Sequence, residues 1–186
     1  GDNNIEDDIY VAVMGGGYGG RDDKVGSALF VVNLEDNITP GKLEKVISIK
    51  DEVNLQIVNS VPGTPVVITP DVARGIKYKG ALVYVNDFEG KITKFNLTNM
   101  ENDGAGKNIK LYDSTILLNI KADRNNGRYQ YHSMDAGIGR TSKNFWMFSG
   151  TGDYERLTSK NTNIDNLMFG FRDKDYPLFR KYDDPV

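Results

Sequence analysis

The chain has one histidine, His132, and no cysteine. A multi-histidine metal site, a thiolate site and a cysteine nucleophile are out of its reach, and any imidazole chemistry must use that single ring. Ser133 follows directly and Asp135 comes two residues later, so the residue types of a hydrolytic triad stand together. Neighbours on a strand point to opposite faces, however, and this order predicts a surface or turn histidine rather than a nucleophile and its base. Asp7 with Asp8 and Asp183 with Asp184 offer paired carboxylates of the kind that hydrolyse glycosidic bonds, but they fall in charged ends that read as exposed. Gly15 to Gly20 satisfies the spacing of a dinucleotide fingerprint. The polar run Arg21-Asp22-Asp23-Lys24 replaces the helix that would aim its amino end at a pyrophosphate, so the segment reads as a flexible loop. Gly150-Thr151-Gly152 lacks the Lys-Ser/Thr of a phosphate cradle and reads as a tight turn. Tyr18, Tyr78, Tyr129 and Tyr131 lie in or near loops, either as loop anchors or as a contact surface, while Phe145, Trp146 and Phe148 share a strand between core and packing positions.

These side chains must be held by a modest amount of polypeptide. A chain of 186 residues fits one domain, and 39% hydrophobic with 26% charged residues is a globular composition. A net charge of −3 leaves no basic surplus for nucleic acid. No apolar run approaches the ~18 residues of a spanning helix, and the acidic, polar start is unlike a signal peptide, so any export signal would lie upstream or have been removed. The absence of cysteine is compatible with export but does not specify a redox compartment.

Twenty glycines point to many tight turns between short elements, and the hydrophobic pattern is that of strands. Strands are expected at 9–14, 27–34, 43–49, 55–59, 65–68, 81–86, 91–97, 109–112, 116–120, 145–149 and 167–172, with short helical turns at 39–46 and 69–74. Three stretches repeat one plan, an apolar strand running into a Gly or Asp turn and then a second strand. They are Tyr10–Gly17 with Ala28–Leu34, Ala81–Gly90 with Lys91–Leu97, and Phe145–Gly152 with Asn166–Arg172. Their starts lie roughly 65 to 70 residues apart, longer than the ~40 to 50 of common propeller repeats, as decorated blades would be. In the second, Asp87-Phe88-Glu89-Gly90 supplies Asp at the first turn position and Gly where positive φ is needed. The expectation is an all-β single domain over residues 1–186, built of antiparallel blades of the four-stranded type as a partial or modified β-propeller of roughly three blades.

Three landmarks in order resemble the carboxy-terminal propeller of the PilC/PilY family of type IV pilus biogenesis factors and tip-associated adhesins. Gly63-Thr64-Pro65 precedes Leu82–Gly90 and Lys94-Phe95-Asn96-Leu97, like a family blade with its Gly-Asp turn and Phe-Asp-Leu ending. Phe148–Glu155 and Asn166–Phe171 are similar to the family's Phe-Gly-Thr-Gly-x-Tyr strand and the strand after it, and Val11–Tyr18 with Ala28–Val32 resembles the preceding blade. The resemblance implies a non-enzymatic, extracytoplasmic module at the cell surface, pilus tip or outer membrane. It implies support of pilus assembly against retraction, attachment to a surface or host receptor, and pilus or minor pilin proteins as partners.

Family members carry a calcium loop, but the matching segment Val66–Gly80 has one carboxylate and three cations. Calcium takes about six to eight oxygen ligands, several of them carboxylates, so none is expected there. Asp2, Asn4 and Glu6 resemble the back half of such a loop, truncated, with the plainer alternative of an acidic turn before a strand. No cofactor is expected in this stretch, and calcium is left open for the parent protein. Binding is expected on the loops Gly15–Val25, Asp123–Arg128 and Leu157–Asn166. The rival reading is a quinoprotein-like propeller dehydrogenase, which would need tryptophan docking motifs in blade after blade where this chain has one Trp.

Overall fold

A computed structural model describes residues 9–19, 25–48, 60–69, 80–98 and 109–182. Among the described residues ten strands follow one another: β1 (Val11–Gly15), β2 (Ala28–Asn33), β3 (Leu43–Ser48), β4 (Val66–Ile68), β5 (Gly80–Asn86), β6 (Lys91–Thr98), β7 (Ser114–Asn119), β8 (Asp135–Ile138), β9 (Phe145–Gly150) and β10 (Met168–Asp173). They form three antiparallel meanders in chain order, β1-β2-β3, β4-β5-β6-β7 and β8-β9-β10. The described residues contain no α-helix, only a 3-10 turn at Tyr154–Arg156, and none of their helices is long and apolar enough to cross a membrane.

The repeats seen in the sequence are the hairpins β1-β2, β5-β6 and β9-β10, one in each sheet. The expected turn of the middle hairpin is present: Gly90 has φ +78 and its N–H donates to the Asp87 carbonyl at 3.0 Å, while Asp87 Oδ1 accepts from the backbone of Glu89 and Lys91. An added Cβ at Gly90 would lie 2.1 Å from Ile120, so the turn requires glycine for packing as well as for φ.

The middle sheet is covered on both faces. Val83, Val85 and Phe95 pack with Leu29 and Val61, with Val13 and Ile47 of the first sheet at the margin. Leu82, Tyr84 and Ile92 on the opposite face pack with Phe145, Met147, Met134 and Phe179. Burial on both faces explains why β5 and β6 read as near-continuous apolar or hydrogen-bonded runs, whereas Phe145–Gly150 alternates buried and exposed.

One ion pair sits inside the second interface. Lys94 Nζ of β6 donates to Asp173 Oδ2 of β10 and to the Leu178 carbonyl, each at 2.6 Å, and Tyr84 Oη donates to the same carboxylate oxygen at 2.8 Å. Tyr84 stands directly opposite Lys94 in the ladder. Both charged side chains are buried. Burial pulls the Lys94 ammonium below the usual lysine range, against the opposing pull of Asp173. Beyond Asp173 the chain crosses back to the middle sheet: Phe179 is fully buried, and Tyr182 N–H donates to Thr115 Oγ1 at 2.9 Å. Tyr182 Oη donates to Asp175, and burial followed by that bond raises its phenol to about 12.

Three expectations are corrected. Residues 109–112 form a turn instead of a strand: Tyr112 has φ +68, Asp113 Oδ2 accepts from Lys110 N–H, and the bend tucks Ile109 into the core. Residues 43–46 of the expected helical turn belong to β3, where the ladder to β2 sets the backbone. The short β8, Asp-Ala-Gly-Ile, carries too little pattern to be read as a strand and is fixed by pairing with β9. The strand expected at 55–59 and nearly all of the turn at 69–74 lie outside the described residues.

Removing one partner of the buried pair, as in Asp173→Asn or Lys94→Met, is expected to lower stability by about 3–5 kcal/mol. The double variant Lys94→Met/Asp173→Leu should lose clearly less, measured by urea unfolding. Tyr182 predicts an alkaline effect. Its folded-state value is raised to about 12 from 10.0, so its contribution is complete below pH 10 and is lost as pH climbs towards 12. Tyr182→Phe should flatten that part of a stability-against-pH curve.

Candidate functional site

Loops from all three sheets meet in one aromatic cluster. Tyr18 comes from the β1-β2 connection, Phe88 from the β5-β6 turn, Tyr129 and Tyr131 from the segment before β8, and Tyr154 from the 3-10 turn between β9 and β10. Phe88 is the hub. Its ring stacks on Tyr129 at 4.4 Å between centroids, meets Tyr131 edge-on at 5.0 Å and lies 5.2 Å from Tyr18. Tyr131 in turn meets Tyr154 edge-on at 5.0 Å. Such offset and edge-on pairs are the favoured ring geometries and hold loops more firmly than their length would suggest.

Polar groups lock the rim. Tyr18 Oη donates to Glu155 Oε1, and burial together with that carboxylate pushes the Tyr18 phenol well above its usual range. His132 Nε2 and Tyr154 Oη share a hydrogen bond. Asp153 caps the 3-10 turn by accepting from Glu155 N–H at 3.1 Å and from Arg156 Nε at 2.5 Å. The Gly152 N–H donates to the Tyr129 carbonyl at 2.9 Å and so fastens the turn to the cluster. Beside it, Arg128 Nη2 pairs with Asp165 at 2.9 Å, joining the 123–128 turn to the 157–166 loop.

The three loops expected to bind are therefore brought to one end of the molecule wherever they are described: 15–19 reaches Glu155 through Tyr18, and 123–128 reaches 157–166 through Arg128. Residues 20–24 of the first loop lie outside the described residues, as do Tyr78 and the candidate calcium ligands Asp2, Asn4 and Glu6. Among the described residues no group of three or more His, Asp and Glu side chains gathers as metal ligands.

The four loop tyrosines of the sequence divide by role where the structure describes them. Tyr129 is buried and serves as an anchor, Tyr131 is half-buried, and Tyr18 stays 40% exposed. Tyr154 at 49% exposure and the hub Phe88 were not picked out by type, because nothing in a lone Phe of a turn or a Tyr after Gly-Asp signals where the chain will bring it. The pairing of Asp87-Phe88-Glu89-Gly90 with the Gly-Thr-Gly-Asp-Tyr turn at equal places in two repeats was the available signal. His132 is exposed, with its ring on Tyr154 and its carbonyl accepting from Asn86 Nδ2, while Ser133 Oγ accepts from the Thr64 N–H at 2.7 Å. His132 and Ser133 are thus each engaged elsewhere. The arrangement is a rigid aromatic platform with exposed phenols and a carboxylate at its rim, suited to contact.

No protein-family model matches the chain, and neither a curated protein nor a solved structure matches it.

Phe88→Ala should lower stability by about 3–5 kcal/mol, the cost of emptying a buried aromatic site. Tyr18→Phe keeps the ring and removes only the hydroxyl's bonds to Glu155 and Tyr131, so urea unfolding should place its loss well below that of Phe88→Ala.

Proposed function

We propose that this chain is part of a modified β-propeller from a type IV pilus biogenesis factor and tip-associated adhesin of the PilC/PilY kind. It acts by surface contact and not by turnover. The observation that carries the reading is the stacking: the three sequence repeats are the equivalent hairpins of three antiparallel meanders, and the middle sheet is buried on both faces by its neighbours. Radial repetition of short antiparallel sheets is how a propeller protects its strand edges.

Contact is assigned to the loop end. Tyr18 and Tyr154 are exposed on a base of buried rings, and rigid aromatics lose little conformational entropy on binding. The partners on this reading are pilus or minor pilin proteins and a surface or host receptor, the location is extracytoplasmic, and calcium belongs to the parent protein.

Deleting the parent gene should abolish surface pili and attachment, and a retraction-defective background should restore the pili without restoring attachment. Tyr18→Ser with Tyr154→Ser in the full-length protein should leave piliation intact and reduce attachment several-fold. Unchanged piliation and attachment in the deletion strain would remove the reading.

A further inference from the structure

A cavity of about 220 Å³ opens between the middle and third sheets, where β7, at the edge of one, meets β10, at the edge of the other. Leu117 and Leu118 of β7, Phe171 of β10 and Tyr182 form its chiefly apolar walls. Adjacent residues of a regular strand point to opposite faces, so two neighbouring leucines should not share one wall. A bulge brings them together. β6 pairs Ile92 with Leu118 and Thr93 with Ile116, which leaves Leu117 as the extra residue of the ladder. Both leucines and Phe171 also pack against the core layer between the two sheets, so the cavity floor continues that layer.

The rim is positive. Arg172 and Lys174 line the mouth and are exposed, and neither has a carboxylate partner among the described residues. The other charges nearby are taken up. Asp173, also at the cavity, accepts from Lys94 and Tyr84 through Oδ2 and from the Asp175 N–H through Oδ1, at 2.6, 2.8 and 3.0 Å. Asp175 lies 3.7 Å from Arg180, and Lys181 lies 3.7 Å from Asp113. An apolar cavity with two unmatched cations at its mouth fits a ligand that is apolar at one end and anionic at the other.

We infer that this cavity binds a small carboxylate with an aryl or short alkyl body. The body lies against Leu117, Leu118 and Phe171, and the carboxylate sits between Arg172 and Lys174 at the mouth. A dry cavity of roughly 150 Å³ lined by Leu, Ile and Phe holds benzene, so about 220 Å³ admits a phenyl ring with a short tether. A sugar or a nucleoside would bury hydroxyls and ring nitrogens against walls that offer them no partner. The planar guanidinium of Arg172 matches a carboxylate, which also gives up less hydration on entering an apolar mouth than a doubly charged phosphate does. The inference stands on the cavity and its charges and uses nothing of the pilus reading.

Methyl NMR of the chain, titrated with phenylbutyrate into the millimolar range, tests it. The Leu117 and Leu118 methyl signals should shift and saturate. Phenylbutanamide has the same shape without the charge and should bind about tenfold more weakly, the combined effect of two partly exposed charge contacts. Arg172→Gln with Lys174→Gln changes only exposed positions, so signals elsewhere should stay in place and report an intact fold. That double variant should bind phenylbutyrate about tenfold more weakly than wild type and bind the amide as wild type does. Leucine signals that do not move overturn the inference. Equal affinity of wild type for acid and amide does so as well, and that comparison needs no variant. Full affinity of the double variant for phenylbutyrate would likewise remove the assigned role of the rim. Attachment by the full-length protein enters none of these measurements, so the adhesin reading stands or falls separately.

Discussion

A lysine ammonium buried between two sheets is the constraint on which the rest of this structure turns. Lys94 points from the middle sheet into an apolar layer of Leu82, Tyr84, Phe145 and Met147, where a lone charge would be untenable. It is tolerated because Asp173, the Leu178 carbonyl and the Tyr84 phenol are all brought to one place, and those groups come from two sheets and from the segment after β10. Burial draws the Lys94 ammonium below its usual range against the pull of Asp173, and a buried pair of this kind adds little net stability over a well-packed apolar replacement. Its contribution is specificity. A slip of one residue in β6 would turn Lys94 to the other face, against Val83 and Val85, and a slip in β10 would withdraw Asp173 from the interface.

That device was not legible in the sequence, although the elements around it were. Nine of the ten described strands, all but β8, coincide with expected ones within two residues because short apolar runs ending at Gly, Asn or Asp leave few alternatives. Lys94 reads instead as an exposed position on an alternating strand, Lys-Ile-Thr-Lys-Phe-Asn. Only the docking of a second sheet on that face makes it buried, and no local pattern carries this. The misreading of 109–112 has the mirror-image cause. Ile109 and Leu111 look like strand positions, yet the residue that decides the backbone is Asp113, whose side chain and N–H bend the chain back on Lys110.

The aromatic end depends on the same stacking. Tyr18, Phe88, Tyr131 and Tyr154 belong to different sheets' connections, and their rings meet because equivalent hairpins of stacked sheets turn at the same end. The sequence offered loop tyrosines as a class, and the structure brings those it describes to one end of the sheets. It could not separate anchors from exposed rings, since Tyr129 and Tyr18 differ only in how many neighbours the third dimension supplies. The locked rim also gives His132 its place: its imidazole holds Tyr154 upright, a supporting role in the platform.

Stacking and contact are therefore separable in this architecture. The apolar layers run between sheet faces while the aromatic rings gather at the hairpin turns, so the contacts that hold the sheets together are not those that shape the loop end. The face residues Val83 and Tyr84 that hold the stack and the rim residues Tyr18 and Glu155 that close the loop end are therefore separate sets of positions.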